Sequence, residues 1–124
     1  MPYNKLTKEE EKVIVHKGTE APGSGEYDKH FEPGVYVCKR CGTPLFRSEN
    51  KFEAGCGWPS FDDEIKEALK RLPDEDGKRI EIQCSNCGAH LGHVFAGENL
   101  TPKNTRYCVN SIAIKFLEKT DKEK

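Results

Sequence analysis

Cys38-Lys39-Arg40-Cys41-Gly42 and Cys84-Ser85-Asn86-Cys87-Gly88 are one device written twice in a chain of 124 residues. Two intervening residues let both sulfurs of a turn face one ion. The glycine after the second cysteine permits a left-handed backbone and leaves amides near the thiolates. Two such turns complete a tetrahedral four-sulfur site that links distant parts of a small chain. Zinc fits this donor set as a structural ion held by Cys38, Cys41, Cys84 and Cys87, and iron uses the same ligands. Disulfides or two redox-active pairs are the competing readings, and the matched repetition favours the metal. With four cysteines bound, no coordination position stays open, so chemistry, if any, belongs elsewhere.

The segments around these turns read as short strands. Gly34–Cys38 enters the first turn and Thr43–Phe46 leaves it. Lys78–Cys84 enters the second, with Ile80 and Ile82 on one face, and Ala89–Ala96 leaves it. Arg106–Leu117 alternates as one long strand, and residues 97–105 form a polar loop. Thr7 and Glu10 form a capping box for a short helix that the β-branched Val13-Ile14-Val15 cuts off. Residues 62–72, DDEIKEALKRL, give the clearest helix signal, with Ile65, Leu69 and Leu72 on one face, ended by Pro73 and a turn over residues 74–77. Seven prolines and 11 glycines suit strands joined by turns. The expected fold is mainly β: a small two-sheet antiparallel fold with peripheral short helices and a structural zinc. One domain is expected, with an arm over residues 1–34, a catalytic core over 35–117 and a frayed tail over 118–124.

Twenty basic residues stand against 21 acidic ones, a net charge of −1. No basic stripe for nucleic acid emerges, and no apolar stretch is long enough to span a membrane. The opening MPYNKLTKEEEK lacks an apolar signal core, so the expected location is cytoplasmic.

Two cysteines lie outside the metal spacing. Cys56 sits in Gly55-Cys56-Gly57-Trp58-Pro59-Ser60-Phe61, and Cys108 in Arg106-Tyr107-Cys108-Val109-Asn110-Ser111. Each could be a buried small hydrophobe. His90 and His93 follow the second metal turn in Ala89-His90-Leu91-Gly92-His93-Val94-Phe95, where Gly92 can permit a bulge that turns both rings to one cleft. His16 and His30 have no such context. Two spare thiols can deliver two electrons by forming a disulfide, and imidazole can move a proton near neutral pH. Arg106 is either a solvent-facing strand residue or a source of positive potential for the thiolate. Trp58 can hold a small apolar group. This outlines a thiol-based reductase without identifying its substrate. A zinc-ribbon binding module explains four cysteines only, and a redox sensor that releases zinc on oxidation is the other competitor.

From Gly18-Thr19-Glu20 to Phe116 the chain resembles the peptide methionine-R-sulfoxide reductases of the B type, in their zinc-containing form. The three segments just quoted and the two metal turns carry the resemblance. It implies that Cys108 attacks the sulfoxide sulfur of oxidised methionine in proteins and is left as a sulfenic acid. It implies that His90, His93 and Asn110 orient the substrate and protonate its oxygen, and that Trp58, with Phe61 and Arg106, binds it. Cys56 would resolve the sulfenic acid as a Cys56–Cys108 disulfide, reduced by thioredoxin. Relatives often carry Pro-Phe in the arm, where this chain has Pro22-Gly23-Ser24-Gly25. An aromatic wall of the pocket is then absent or supplied elsewhere.

Overall fold

The computed structural model describes residues 5–20, 23, 25, 27, 30–53, 56–73, 79–98 and 100–118. The turn expected over 74–77 and all of the expected tail except Glu118 lie outside the described residues, as do Pro22, Ser24 and Gly55.

Helix α1 spans Lys8–Ile14. Thr7 Oγ1 accepts from the Glu10 amide at 3.1 Å, and Glu10 Oε1 accepts from the Thr7 amide at 2.8 Å. This box and the acidic first turn start the helix where the sequence places it. Val13 and Ile14 are its buried residues.

Nine strands follow among the described residues: β1 (Gly34–Cys38), β2 (Pro44–Arg47), β3 (Lys51–Phe52), β4 (Ser60–Phe61), β5 (Leu69–Pro73), β6 (Ile80–Cys84), β7 (His90–Ala96), β8 (Thr105–Val109) and β9 (Ile114–Glu118). They form two antiparallel sheets, ordered β2-β1-β9 and β3-β4-β8-β7-β6-β5. The small two-sheet antiparallel expectation is met. The core includes the aromatics Tyr36, Phe46, Phe61 and Tyr107. Phe46 and Phe61 stack at 4.3 Å, and Tyr36 meets Phe61 edge-on at 5.2 Å.

Residues 62–72 are not a helix. Residues 66–67 form a turn in which Glu67 has φ 64°, and Leu69–Pro73 pairs with β6 as an edge strand. The second metal turn reaches across to this segment: the Ser85 amide donates to Ala68 O at 2.9 Å and Ser85 Oγ donates to Glu67 O at 2.8 Å. Ladder pairing along β6 and these anchors outweigh a helical preference worth only tenths of a kcal/mol per residue. Pro73 is tolerated because β5 is an edge.

The long strand over Arg106–Leu117 is also divided. β8 ends at Val109, a 3₁₀ turn occupies Ser111–Ala113, and β9 joins the other sheet. The amides of Ser111 and Ile112 donate to the Glu20 carboxylate at 2.8 and 2.9 Å. A distant carboxylate thus caps the turn that moves the chain between sheets. Ile82 is fully buried while Ile80, at the strand end, is 43% exposed; alternation gave their shared face and not their burial.

Phe61, expected to touch substrate, is fully buried between Tyr36 and Phe46. It belongs to the core. Phe61→Ala is expected to lower unfolding free energy by about 3–5 kcal/mol, read as a reduced urea midpoint with unchanged slope.

Candidate active site and metal centre

The metal turns close two hairpins. Cys38 ends β1 and Cys84 ends β6. In each, the glycine amide returns to the first cysteine carbonyl, Gly42 to Cys38 at 2.9 Å and Gly88 to Cys84 at 2.8 Å. These glycines have φ of 82° and 76°, as the sequence requires. Cys38 and Cys87 sulfurs lie 3.6 Å apart, Cys41 and Cys84 sulfurs 3.5 Å apart, and all four fall within 4.8 Å of one another. A tetrahedral ion with sulfur at about 2.3 Å sets sulfurs about 3.8 Å apart. The geometry therefore suits one such ion, held between a hairpin of each sheet. The four thiols share their protons unevenly: the hydrogen bond between Cys38 and Cys84 draws Cys84 down and pushes Cys38 up, and burial pushes Cys87 up. A thiolate is the form that binds metal.

The spare thiol is on β8. Backbone register aligns Glu81, His93, Cys108 and Ser60 across β6, β7, β8 and β4. Residues directly opposite in a sheet share a face, so these four side chains project together. His90 joins them through a bulge: Ile82 faces Gly92 while Gln83 faces His90, which leaves Leu91 as the extra residue of β7. Without it, His90 and His93 would point to opposite faces. The bulge expected at Gly92 is thus present one residue earlier, and the two rings meet edge-on at 5.7 Å. Gly92 has its own constraint: a Cβ there would collide with the Cys108 carbonyl oxygen and crowd Val109.

A cavity of about 110 Å³ opens at Cys108, lined notably by Trp58, His93, Phe95, Cys108 and Asn110. Phe95 supplies the aromatic wall that the glycine-rich arm does not. Gly23, with φ 75°, donates its amide to Gly57 O at 2.7 Å; that backbone disfavours a phenylalanine. A second, more polar cavity of about 300 Å³ shares Thr19, Arg79 and His93 with the first and reaches His16, Lys17 and His90. His30 instead packs among Tyr27, Tyr36 and Phe116.

Burial pushes the Cys108 thiol up to about 12; the adjacent Cys56 sulfur adds to the rise and the Arg106 guanidinium opposes it. Cys56 thus lies beside Cys108. Its sulfur is also 3.4 Å from Ser60 Oγ and from Trp58 O. Arg106 binds Glu98 at 2.7 and 3.1 Å and lies over the Phe95 ring at 4.5 Å. It is not among the residues lining the Cys108 cavity, and it acts on the thiol through its charge and a side-chain hydrogen bond, both favouring the thiolate.

Asn110 is tied at both ends of its amide. Oδ1 accepts from the Glu20 amide at 3.0 Å and Nδ2 donates to Leu91 O at 3.1 Å. Glu20 is the residue that sequence reasoning left without a role. Besides capping residues 111–112 it accepts Trp58 Nε1 on its carbonyl at 3.0 Å. One residue of the arm therefore fixes the tryptophan, Asn110 and the turn after Cys108. An acidic residue inside Gly18-Thr19-Glu20 was the available signal.

Two sheets that meet at four clustered sulfurs, with a separate thiol at a cavity, define a two-sheet β domain with a candidate metal centre and a candidate thiol site. The SelR domain family matches residues 6–118, and the chain belongs to that family. It is 55% identical over 112 residues to "Peptide methionine sulfoxide reductase B2, chloroplastic" of Arabidopsis thaliana, covering 90% of this chain and 55% of the relative. It is 53% identical to "Peptide methionine sulfoxide reductase B3, chloroplastic" of Oryza sativa subsp. japonica, over 96% of this chain and 52% of that one. It is 54% identical to "Peptide methionine sulfoxide reductase B5" of the same rice, over 90% and 82%. The chain spans about half the length of the first two. A solved structure, "Crystal Structure of Mis18 'Yippee-like' Domain", matches with TM-score 0.55 at 15% identity, over 73% of this chain and 100% of that one, a likeness of fold alone.

The cytoplasmic expectation is corrected by these relatives, two of which are named chloroplastic. The want of an apolar signal core near Met1 carried that expectation, and similar domains reside in an organelle. No helix of the described residues is long and apolar enough to cross a membrane.

Elemental analysis of the purified protein is expected to read about one metal ion per chain. Cys84→Ser should lose the ion and lower the melting temperature, because an ion that joins two hairpins is coupled to folding. For Cys108, alkylation by iodoacetamide followed by peptide mass spectrometry should be slow at pH 7. Its rate should climb about tenfold per pH unit to beyond pH 10, since the thiolate fraction rises until the pH passes the elevated value.

Proposed function

We propose that this chain reduces the R epimer of methionine sulfoxide in oxidised proteins, as a single reductase domain with one structural zinc on Cys38, Cys41, Cys84 and Cys87. The observation that carries the reading is the Cys108 thiol at a small cavity walled by Trp58 and Phe95 and aligned with His93, with Cys56 beside it. An aromatic wall suits the sulfoxide methyl group. Imidazole can supply a hydrogen bond and a proton to the sulfoxide oxygen.

The elevated Cys108 value makes the resting nucleophile a thiol. Attack on sulfur therefore proceeds as the thiol proton departs and the sulfoxide oxygen gains a proton from the imidazole pair. Overall, the thiol and the sulfoxide become a Cys108 sulfenic acid and a methionine thioether. The sulfoxide sulfur is reduced by two electrons and the cysteine sulfur oxidised by two. The Cys56 thiol then displaces hydroxide from the sulfenic sulfur. A Cys56–Cys108 disulfide and one water result. Thioredoxin returns both thiols by exchange and leaves with the disulfide. Arg106 favours the Cys108 thiolate, and Asn110 holds β8 against β7 while facing the cavity. A zinc ion held by Cys38, Cys41, Cys84 and Cys87 would have every position filled by sulfur and would supply cohesion rather than Lewis acidity.

Separated R and S epimers of a methionine sulfoxide peptide test this directly. Turnover of R with thioredoxin and none of S is the expected result. Cys56→Ser should release about one methionine per enzyme and then stall, whereas Cys108→Ser should release none. Sustained turnover by Cys56→Ser at the parent rate would remove the resolving role, and activity in Cys108→Ser would remove the nucleophile.

A further inference from the structure

Glu81 has no part in the reaction as written above, yet its surroundings are unusual for a carboxylate. It is 3% exposed, on the cavity face of β6. Its Oε1 accepts from Lys17 Nζ at 3.1 Å. Its Oε2 accepts from Gln83 Nε2 at 2.9 Å and lies 2.8 Å from His90 Nδ1. Carboxylates this buried are rare unless paired.

The hydrogen count at that 2.8 Å contact decides which ring nitrogen carries a proton. Burial works against ionisation of Glu81, and the donors Gln83, His90 and Lys17 overcome it, holding the carboxyl below its usual range. An ionised carboxylate can only accept, so the proton sits on Nδ1. Burial also holds His90 below the usual imidazole range, against the opposite pull of Glu81. Enclosed without a hydrogen-bond acceptor beside it, Nε2 has nothing to receive a second proton, and a neutral ring protonated at Nδ1 carries a bare lone pair at Nε2. Nε2 is itself buried and has no hydrogen-bond partner among the described residues. His90 lines the polar cavity contiguous with the thiol cavity, where His16, Lys17, Arg79, Glu81 and His93 also face.

We propose that Glu81 is a positioning residue that locks His90 in its Nδ1-protonated tautomer, so that Nε2 can only accept a hydrogen bond in the site. The inference rests on the reductase reading and divides labour within the histidine pair. His90 thus presents an acceptor beside the His93 imidazole, whose ring it meets edge-on at 5.7 Å. The proton that reaches the sulfoxide oxygen passes through His93, which faces Cys108 across the strand pair. The opposite His90 tautomer would set a nitrogen lone pair against the carboxylate, so the lock does not depend on substrate.

The test uses the metal-loaded protein labelled with ¹⁵N-histidine. Long-range ¹H–¹⁵N spectra distinguish a protonated from a bare ring nitrogen. His90 should show protonated Nδ1 and bare Nε2 in the unmodified protein at neutral pH. A protonated Nε2, alone or in a cationic ring, would overturn the proposal. In Glu81→Gln the amide can donate as well as accept, so mixed tautomers are expected. With them, kcat should fall about tenfold while KM moves little, and the pH profile of kcat should change. Parent kcat in a folded Glu81→Gln protein would overturn the positioning role. If that variant fails to fold, the spectrum of the parent protein still decides. A parent protein inactive on either sulfoxide epimer would refute the reductase reading instead, with the spectrum judging Glu81 separately.

Discussion

The convergence of four sulfurs from two hairpins is the constraint on which the rest of the molecule depends. Cys38 and Cys41 close the hairpin of the three-stranded sheet, and Cys84 and Cys87 close the β6–β7 hairpin of the six-stranded one. Thiolates this close repel unless a cation lies among them. An ion there converts mutual repulsion into a tie between the sheets. The turn that carries Cys84 and Cys87 sets the start of β7 and therefore the height at which its histidines stand. It also presents Ser85 to the segment before β5, and that anchoring goes with a strand where the local pattern favours a helix.

The working face of the six-stranded sheet is built by lateral register. Glu81, His93, Cys108 and Ser60 fall in one row because antiparallel strands pair residue against residue. One extra residue, Leu91, adds His90 to that face. Gly92 lets β7 and β8 approach at Cys108, where any side chain would collide with the backbone. Electrostatics then separates the members of the row. Glu81 stays charged through three donors, whereas the Cys108 thiol stays neutral through burial that the Arg106 field only partly offsets. A buried thiol resists untimely oxidation, since thiolate character governs that reaction.

Much of this was legible because some signals are local. The metal turns need only four residues and a glycine each. The capping box of α1 needs Thr7 and Glu10. The strands of the β1–β2 and β6–β7 hairpins were visible from alternation beside those turns. Other parts were not legible for equally physical reasons. Ile65, Leu69 and Leu72 fit a helical stripe, but the unpaired edge of β6 and the Ser85 anchors lie far away in sequence. The alternation over 106–117 carries no mark at Asn110, since the carboxylate that turns the chain there belongs to Glu20. Phe61 looked like part of a binding motif because it adjoins Cys56 and Trp58. The strand pleat directs Ser60 to the cavity face and Phe61 to the core.

By itself the sequence determined the chemistry available: four sulfurs in paired turns for an ion, two further thiols, two imidazoles and a tryptophan. Those follow from residue type and short spacing, which the chain carries directly. Only the tertiary structure decided which of them meet and in what state. The bulge at Leu91, the capping by Glu20 and the burial of Glu81 beneath His90 all join residues separated in the chain by neighbouring strands or by most of its length. Register, burial and proton placement are properties of the assembled sheet, where one residue of slip would reverse every side chain.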